Sequence, residues 1–209
     1  MLIQMKRRAP RQLPLQLPMR GGKRTGAGRK PAGARAGVSH RRRPPLLPRH
    51  PVHTTLRVLP HVWNLRSRRA FRALGRAFAG GKQRPGFRLV HFSVQGNHLH
   101  LIVEADDEVR LARGMQGLAV RMARRLNRMM HRRGEVFADR YHAHALRSPT
   151  EAARAIAYVL GNFFIHAARR GEVVAREVDP FCSAAGHVTL TAEAETWLLR
   201  VGWTRGRPP

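Results

Sequence analysis

Two histidines, His98 and His100, stand one residue apart in the apolar stretch HLHLIVEA, and two neighbouring imidazoles can hold one divalent cation. In a β-strand, side chains two residues apart project from the same face, so Leu99 and Leu101 point into a core and the imidazoles point away from it. The preceding residues QGN have a turn composition, and at a turn the backbone can approach a ligand closely. The same pattern also fits a pair of hydrogen-bonded surface histidines.

A tyrosine and an asparagine further along the chain add to the metal interpretation. Tyr158 is one of two tyrosines, and Asn162 follows it by four residues in a helical pattern. Residues at this spacing share a helix face, so a hydroxyl and an amide oxygen would project together. A tyrosyl hydroxyl, with a pKa of about 10, needs proton removal and a nearby cation to act as a nucleophile. These four residues therefore indicate nucleophilic chemistry assisted by a metal.

The charge of the chain indicates its partner. There are 40 Lys and Arg residues against 12 Asp and Glu residues, which gives a formal net charge of +28. Such a charge makes a compact state repel itself unless phosphates neutralise part of it, which favours nucleic acid over an acidic small molecule or a membrane surface. Glu104 is the first acidic residue, so the N-terminal half is purely cationic.

The number of cysteines and the hydropathy of the chain indicate its cellular compartment. Cys182 is the one cysteine, which excludes an internal disulfide and a CxxC zinc site and favours a reducing cytoplasm. The N-terminal stretch MLIQMKRRAPRQLPLQLPMR lacks the continuous apolar core of a signal peptide. No run approaches the roughly 20 apolar residues that cross a bilayer, so we expect a soluble cytoplasmic protein without a membrane partner.

The elements that position the candidate residues follow from periodicity and end signals. VHTTLRVL alternates as a strand, FRLVHFSV and HLHLIVEA form a hairpin across QGN, and YHAHALR gives a fourth strand. Helical patterns cover residues 61–81, 106–134 and 148–171, the last with Ser148 as N-cap and Pro149 at the first helical position. The order β-α-β-β-α-β-α predicts an α+β fold: a ferredoxin-like four-stranded antiparallel sheet plus an added C-terminal helix that bears Tyr158.

Composition divides the chain into three parts. Residues 1–50 are rich in Gly, Pro and Arg without apolar periodicity, and we expect a disordered basic arm. Residues 51–178 contain the predicted domain. Residues 179–209 are expected to be a C-terminal extension with one short helix.

On these motifs the chain resembles the single-tyrosine HUH (Y1) transposases, in particular the IS200-like, REP-associated tyrosine transposase branch. GNHLHLIVE resembles the family's His-hydrophobic-His motif and YVLGN its tyrosine helix, and the similarity spans residues 52 to about 178. Two departures stand out, since QGN replaces the usual Pro before the Asn-His pair and NFF replaces NP at Asn162. Neither departure removes a chemical group, although each could reposition one.

The resemblance implies a transposase that nicks and joins single-stranded, hairpin-forming DNA through a 5′-phosphotyrosine intermediate. It implies His98, His100 and Asn162 as ligands of Mg²⁺ or Mn²⁺, and Tyr158 as the nucleophile. A covalent link conserves the phosphodiester energy, which fits the absence of any P-loop sequence. We expect a bacterial, nucleoid-associated protein that acts as a monomer or homodimer.

The stretch YHAH is an internal rival, because it places Tyr141 beside a second same-face histidine pair, His142 and His144. A tyrosine adjacent to its own metal ligands could hardly approach a metal-bound phosphate in line. We therefore prefer Tyr158 as the nucleophile and interpret His142 and His144 as residues that contact DNA or brace the sheet.

Basic residues in the arm and on the first two helices are candidates for phosphate contacts with nucleic acid. They are Arg41, Arg42, Arg43, Arg68, Arg69, Arg72, Arg121, Arg124, Arg125, Arg132 and Arg133.

Two other functions fit parts of the sequence. A catalytically silent DNA- or RNA-binding protein derived from such a transposase would share the fold and the charge. Aromatic RNA-binding motifs are absent, however, and aromatic residues make up only 6% of the chain. A replication-initiating HUH nuclease is the nearer alternative, and it would require a partner helicase or a second tyrosine.

Overall fold

The structure, a computed structural model, describes residues 43–172, 174–175 and 177–207. Within these ranges the strands and α-helices are β1 (Val52–Arg57), α1 (Arg68–Ala79), β2 (Gln83–Arg84), β3 (Phe87–Val94), β4 (His98–Ala105), α2 (Glu108–Met129), β5 (His142–Ala145), α3 (Pro149–Arg169) and α4 (Trp197–Arg200). None of the helices in the described residues is both long enough and apolar enough to cross a membrane.

The strands form one antiparallel sheet in the order β2-β3-β4-β1-β5. The four predicted strands are β1, β3, β4 and β5, and their order β3-β4-β1-β5 confirms the ferredoxin-like α+β prediction. The prediction of four strands was one short, because Gln83 and Arg84 pair with β3 at the sheet edge. Both residues are exposed and polar, so the added strand has no apolar alternation by which a sequence could reveal it.

Alternation along the strands gives the sheet two different faces. Leu99 and Leu101 of β4 pack in the large core that α1 and α2 cover, and we call this side the α1/α2 face. Ile102, one residue further along, packs with Ile156 and Val159 of α3 in a smaller core, and we call this side the α3 face. His98 and His100 are separated from Ile102 by even numbers of residues on the same strand, so they lie on the α3 face as well.

Side-chain caps fix where the helices begin. Ser148 Oγ accepts a hydrogen bond from Glu151 N at 3.2 Å, and Pro149 occupies the first turn, as predicted for α3. Ser67 caps α1 in the same way through Ala70 N at 3.2 Å. Asp107 caps α2 through Arg110 N at 2.6 Å. The start of α3 places Tyr158 and Asn162 in its third and fourth turns.

Both chain ends of the described region contact the sheet domain. The predicted arm lies outside the described residues up to position 42, and its last part contacts the domain, since Leu46 is buried in the large core. At the other end, buried Glu104 of β4 accepts hydrogen bonds from Thr196 N at 2.8 Å and Thr196 Oγ1 at 2.7 Å. Arg88 Nε also donates to Glu104, at 2.9 Å, so this carboxylate ties the segment before α4 to the α3 face.

Candidate active site

The site begins with two imidazoles on β4. The ring centroids of His98 and His100 lie 4.9 Å apart, as the two-residue spacing in a strand requires. His100 is 5% exposed, and His98 is half-buried at the end of the strand next to the turn. Both rings lie on the α3 face, where α3 passes over them.

Helix α3 brings the predicted tyrosine and asparagine to these histidines. The Tyr158 ring lies edge-on to His100, with ring centroids 5.1 Å apart. Eight residues later on α3, His166 lies 6.1 Å from His98 in the same measure. Asn162 is midway between them on the same helix stripe, so it faces the space between the two strand histidines.

Two polar groups in this space have no hydrogen-bond partner among the described residues. One is Nε2 of His100, and the other is the side-chain amide of Asn162, which is fully buried. Buried polar groups are nearly always paired, because an unsatisfied one costs about 1–3 kcal/mol. The arrangement therefore fits a polar ligand that is held by both groups.

His53 also belongs to the site, and the sequence interpretation missed it, as it missed His166. His53 of β1 stacks on His100 with ring centroids 5.3 Å apart, and its Nε2 lies 3.2 Å from Nδ1 of His100. It also lies 5.9 Å from the Tyr158 ring. We call His53, His98 and His100 the site histidines. The alternation of β1 puts His53 opposite its buried Val and Leu side chains, but only the pairing with β4 reveals what it faces.

Neighbouring side chains orient the two strand imidazoles. Nδ1 of His100 lies 3.2 Å from Thr55 Oγ1 as well as from His53, and Nδ1 of His98 lies 2.8 Å from Asn97 Oδ1. Because Asn97 Oδ1 can only accept, Nδ1 of His98 is the protonated nitrogen. Donation from Nδ1 leaves Nε2 as the free lone pair, which is the usual arrangement for a metal-binding histidine.

Burial keeps the site histidines neutral. It lowers the pKa of His53 and of His98 from 6.5 to about 4, and that of His100 to about 3. Desolvation is the main cause in each, and for His98 the positive charge of Arg57 adds to it. At physiological pH each ring therefore keeps a lone pair for a cation.

The donor set fits a divalent cation that also binds its substrate. It consists of two imidazole nitrogens and one amide oxygen, and the described residues contain no cluster of three or more His, Cys, Asp or Glu side chains suited to a metal. These three donors include no carboxylate, and they fill only about half of the six-ligand shell of Mg²⁺ or Mn²⁺. Oxygen atoms of a phosphate would supply further ligands.

The rival tyrosine lies elsewhere. Tyr141 packs against the α1/α2 core beneath the Arg43 guanidinium, which lies 3.8 Å from its ring centroid. Burial raises the pKa of Tyr141, and its hydroxyl has no hydrogen-bond partner in the described part of the chain. His142 and His144 alternate with Ala143 and are exposed on the edge strand β5, where His144 pairs in register with His53.

The arginines proposed for DNA contacts are not gathered at this site. Arg41 and Arg42 lie outside the described residues, and Arg132 and Arg133 follow the end of α2. Those of α1 and α2 are exposed on helices that cover the sheet face opposite Tyr158, and they are Arg68, Arg69, Arg72, Arg121, Arg124 and Arg125. Arginines of both helices line adjoining grooves of about 230 and 270 Å³.

Comparisons with known proteins agree with the fold and the motifs. Residues 62–160 match the family model described as Transposase IS200 like. A solved REP-associated tyrosine transposase, bound to a REP hairpin, shares the fold with a TM-score of 0.52 and 17% sequence identity. The alignment covers 76% of this chain and 93% of that one. No curated protein sequence matches the chain. The matched region includes both strand histidines and Tyr158, so the resemblance to the IS200-like transposases is confirmed over this part of the chain.

Proposed function

We propose that this protein is a metal-dependent transposase that cleaves and rejoins single-stranded DNA through a covalent bond to Tyr158. Transposases are enzymes that cut DNA and transfer strands, and the match of residues 62–160 to the family model supports that general activity. The observation that carries the specific mechanism is the position of the Tyr158 ring, 5.1 Å from His100 and on the same helix face as the unpartnered Asn162 amide.

Tyr158 is the nucleophile in this proposal. Its side chain is 39% exposed, so DNA can reach the hydroxyl from solvent, whereas the Tyr141 hydroxyl is buried. The Tyr158 oxygen forms a bond to phosphorus, and the bond between phosphorus and the 3′-oxygen breaks. The tyrosine loses one proton and the departing 3′-oxygen gains one. The products are a 5′-phosphotyrosine and a free 3′-hydroxyl, and the reverse reaction joins strands.

The residues that would hold Mg²⁺ or Mn²⁺ are His98 and His100 through Nε2 and Asn162 through Oδ1. A bound cation would neutralise the charge that develops on the attacked phosphate. Asn97, His53 and Thr55 keep the imidazoles in the orientation that leaves Nε2 available.

Hairpin-forming single-stranded DNA is the proposed substrate. The net charge of +28 favours a polyanion, and the similar solved structure is that of a transposase bound to a REP hairpin. The arginines of α1 and α2 would bind phosphates away from the reaction centre. His142 and His144, which lie on the α3 face beside His53, would contact the strand near the site.

The test is a search for the covalent adduct. Purified protein is incubated with hairpin oligonucleotides from the DNA that flanks its gene, labelled at the 5′ or the 3′ end, with Mn²⁺ or with EDTA. Denaturing gels should show a metal-dependent adduct on the 5′ end of the downstream fragment. Tyr158→Phe should abolish the adduct, because it removes only the attacking oxygen.

Tyr141→Phe is the matched control and should leave the adduct unchanged. If only Tyr141→Phe abolished the adduct, the nucleophile would be Tyr141 and the site proposed here would be wrong. Tight binding without an adduct under any metal would instead identify a catalytically silent DNA-binding protein.

A further inference from the structure

A cavity adjoins the candidate active site at the end away from Tyr158. It has a volume of about 550 Å³, within the usual range for small-molecule pockets. The turn between β3 and β4 forms one wall with Gln95 and Asn97, and the last turns of α3 form the other with Phe163 and His166. Asn64, which precedes α1, closes the rim, and His98 lies between this cavity and the candidate metal position.

The order of groups along α3 determines what such a cavity can hold. Tyr158 lies beside His100, and His166 lies beside His98. The separation of eight positions between Tyr158 and His166 corresponds to about 12 Å along the helix. A phosphate bound near Asn162 therefore has the attacking tyrosine on one side and the cavity on the other. In an in-line displacement, the leaving oxygen departs on the side opposite the nucleophile.

We propose that this cavity binds the nucleotide that carries the leaving 3′-oxygen, and that it holds the base of that nucleotide. The inference rests on the proposed function, because it takes Tyr158 as the nucleophile. It adds a subsite in which the protein itself contacts a base next to the scissile phosphate.

The charges around the cavity favour a base over a phosphate. Arg66 is neutralised by buried Asp179 through two hydrogen bonds of 2.8 and 2.9 Å. Arg170 is paired with Glu172 through two hydrogen bonds of 2.6 and 2.7 Å. In a chain of net charge +28, this cavity has its two arginines balanced by carboxylates. An uncharged polar ligand therefore suits it.

The uncommitted polar groups match the edge of a base. Oδ1 of Asn64 accepts from Arg66 N at 2.9 Å, and Oδ1 of Asn97 is engaged by His98. Both amide nitrogens therefore remain as donors without a partner in the described part of the chain. Gln95 Nε2 donates to Ser93 Oγ at 2.8 Å, which leaves its carbonyl oxygen as an acceptor. Two donors, one acceptor and the apolar edge of Phe163 can bind a heterocycle with carbonyl oxygens.

Retention of this nucleotide has a mechanistic use. After cleavage, the new 3′-hydroxyl stays beside the phosphotyrosine only if its own nucleotide is held. A bound base keeps the hydroxyl at high effective concentration for the rejoining step.

Gly96 allows the cavity to be filled without a change at the metal ligands. A Cβ atom built there meets Asn64 Oδ1 at 3.6 Å, an ordinary contact, and the Gly96 backbone lies outside the positive-φ region. Gly96→Leu would extend into the cavity, and Gly96→Ala is the matched control. The substrates are the cleavable hairpin oligonucleotide and two copies that carry one abasic nucleotide, on the leaving side or on the phosphotyrosine side.

With the unmodified protein, the abasic leaving nucleotide should raise the half-saturating DNA concentration for adduct formation about tenfold, the effect of one or two lost base contacts. The abasic nucleotide on the other side should change it little. Gly96→Leu should raise the half-saturating concentration of the intact substrate by a similar factor. On the substrate with the abasic leaving nucleotide, it should have the same half-saturating concentration as the unmodified protein. Gly96→Ala should behave like the unmodified protein on every substrate.

Several results would overturn the subsite. One is an equal response of the unmodified protein to the two abasic positions. Another is an equal loss by Gly96→Leu on the intact and abasic substrates, since that would place the damage in the fold or the metal site. No effect of Gly96→Leu would also refute it. If the unmodified protein forms no adduct with intact DNA, the proposed function fails and the subsite fails with it.

Discussion

Replacement of Asn162 should make the metal-free protein more stable and the enzyme nearly inactive. Asn162 is fully buried in α3, and neither its amide nitrogen nor its amide oxygen has a hydrogen-bond partner among the described residues. Each unsatisfied group costs about 1–3 kcal/mol. Leucine has a similar size and no polar atoms, and it also favours a helix over asparagine by a few tenths of a kcal/mol. We expect Asn162→Leu to raise the free energy of unfolding in EDTA by about 2 kcal/mol.

The effect on activity has the opposite sign. Asn162 supplies the one oxygen of the proposed donor set, so Asn162→Leu should reduce metal-dependent adduct formation at least about a hundredfold. Added Mn²⁺ stabilises a protein according to how far its concentration exceeds the dissociation constant, by about 1.4 kcal/mol at ten times that constant. This stabilisation should be present in the unmodified protein and lost in Asn162→Leu.

Urea unfolding followed by circular dichroism, with EDTA and then with Mn²⁺, measures both stability terms. Asn162→Asp is the informative control, because it keeps the oxygen ligand and adds a buried charge. It should be less stable than the unmodified protein in EDTA and recover when Mn²⁺ is added. A loss of stability for Asn162→Leu in EDTA would refute the reasoning, since it would mean that the amide is already satisfied.

Three more outcomes follow from the fold. The free energy of unfolding of the metal-free protein should fall as the pH drops from about 6.5 toward 4, by up to about 1.4 kcal/mol per pH unit for each site histidine. The sign follows because folding lowers the pKa of each of these histidines to about 3 or 4, so the unfolded chain binds more protons than the folded one as the pH falls. A free energy of unfolding that does not change with pH in urea titrations would contradict this expectation. Asp179→Asn should destabilise by about 3 kcal/mol, because it leaves the largely buried Arg66 unpaired, whereas Glu172→Gln should change the melting temperature far less, since its ion pair is exposed. Replacement of both Arg72 and Arg125 by Gln should reduce the slope of log binding constant against log salt concentration by about 1.5, while the adduct rate at saturating DNA stays unchanged. An unchanged slope in fluorescence-anisotropy titrations would exclude these phosphate contacts.

Local patterns in the sequence were enough to predict the elements that carry the candidate residues. The i, i+2 spacing of His98 and His100 and the i, i+4 spacing of Tyr158 and Asn162 are properties of one strand and one helix. The Ser148 cap sets the start of α3 and therefore which side of the helix faces the sheet. Such signals act over a few residues, so a single sequence contains them.

Contacts between distant residues were not predictable in this way. His53 reaches His100 through the register between β1 and β4, and the two positions are 47 residues apart. The Arg66–Asp179 pair joins positions 113 residues apart. Leu46 lay within the segment expected to be disordered because the residues around it are basic and rich in proline, yet it packs in the large core. Each of these contacts depends on tertiary packing, which the residues next to it in the sequence do not reveal.

The two halves of the candidate site are held by different parts of the fold. The site histidines lie on central strands of a sheet whose other face packs against α1 and α2 through large side chains, such as Phe92 of β3, Phe78 of α1 and Met122 of α2. Helix α3 packs on the smaller core through Ala155, Ile156 and Val159, and Arg66 stacks on Phe163 with its guanidinium 4.0 Å from the ring centroid. The smaller core buries less apolar area than the large one, so shifting α3 costs less free energy than opening the sheet. The distance between Tyr158 and the histidines therefore depends on how α3 is seated, and substitutions in that seat should affect the reaction before they unfold the protein.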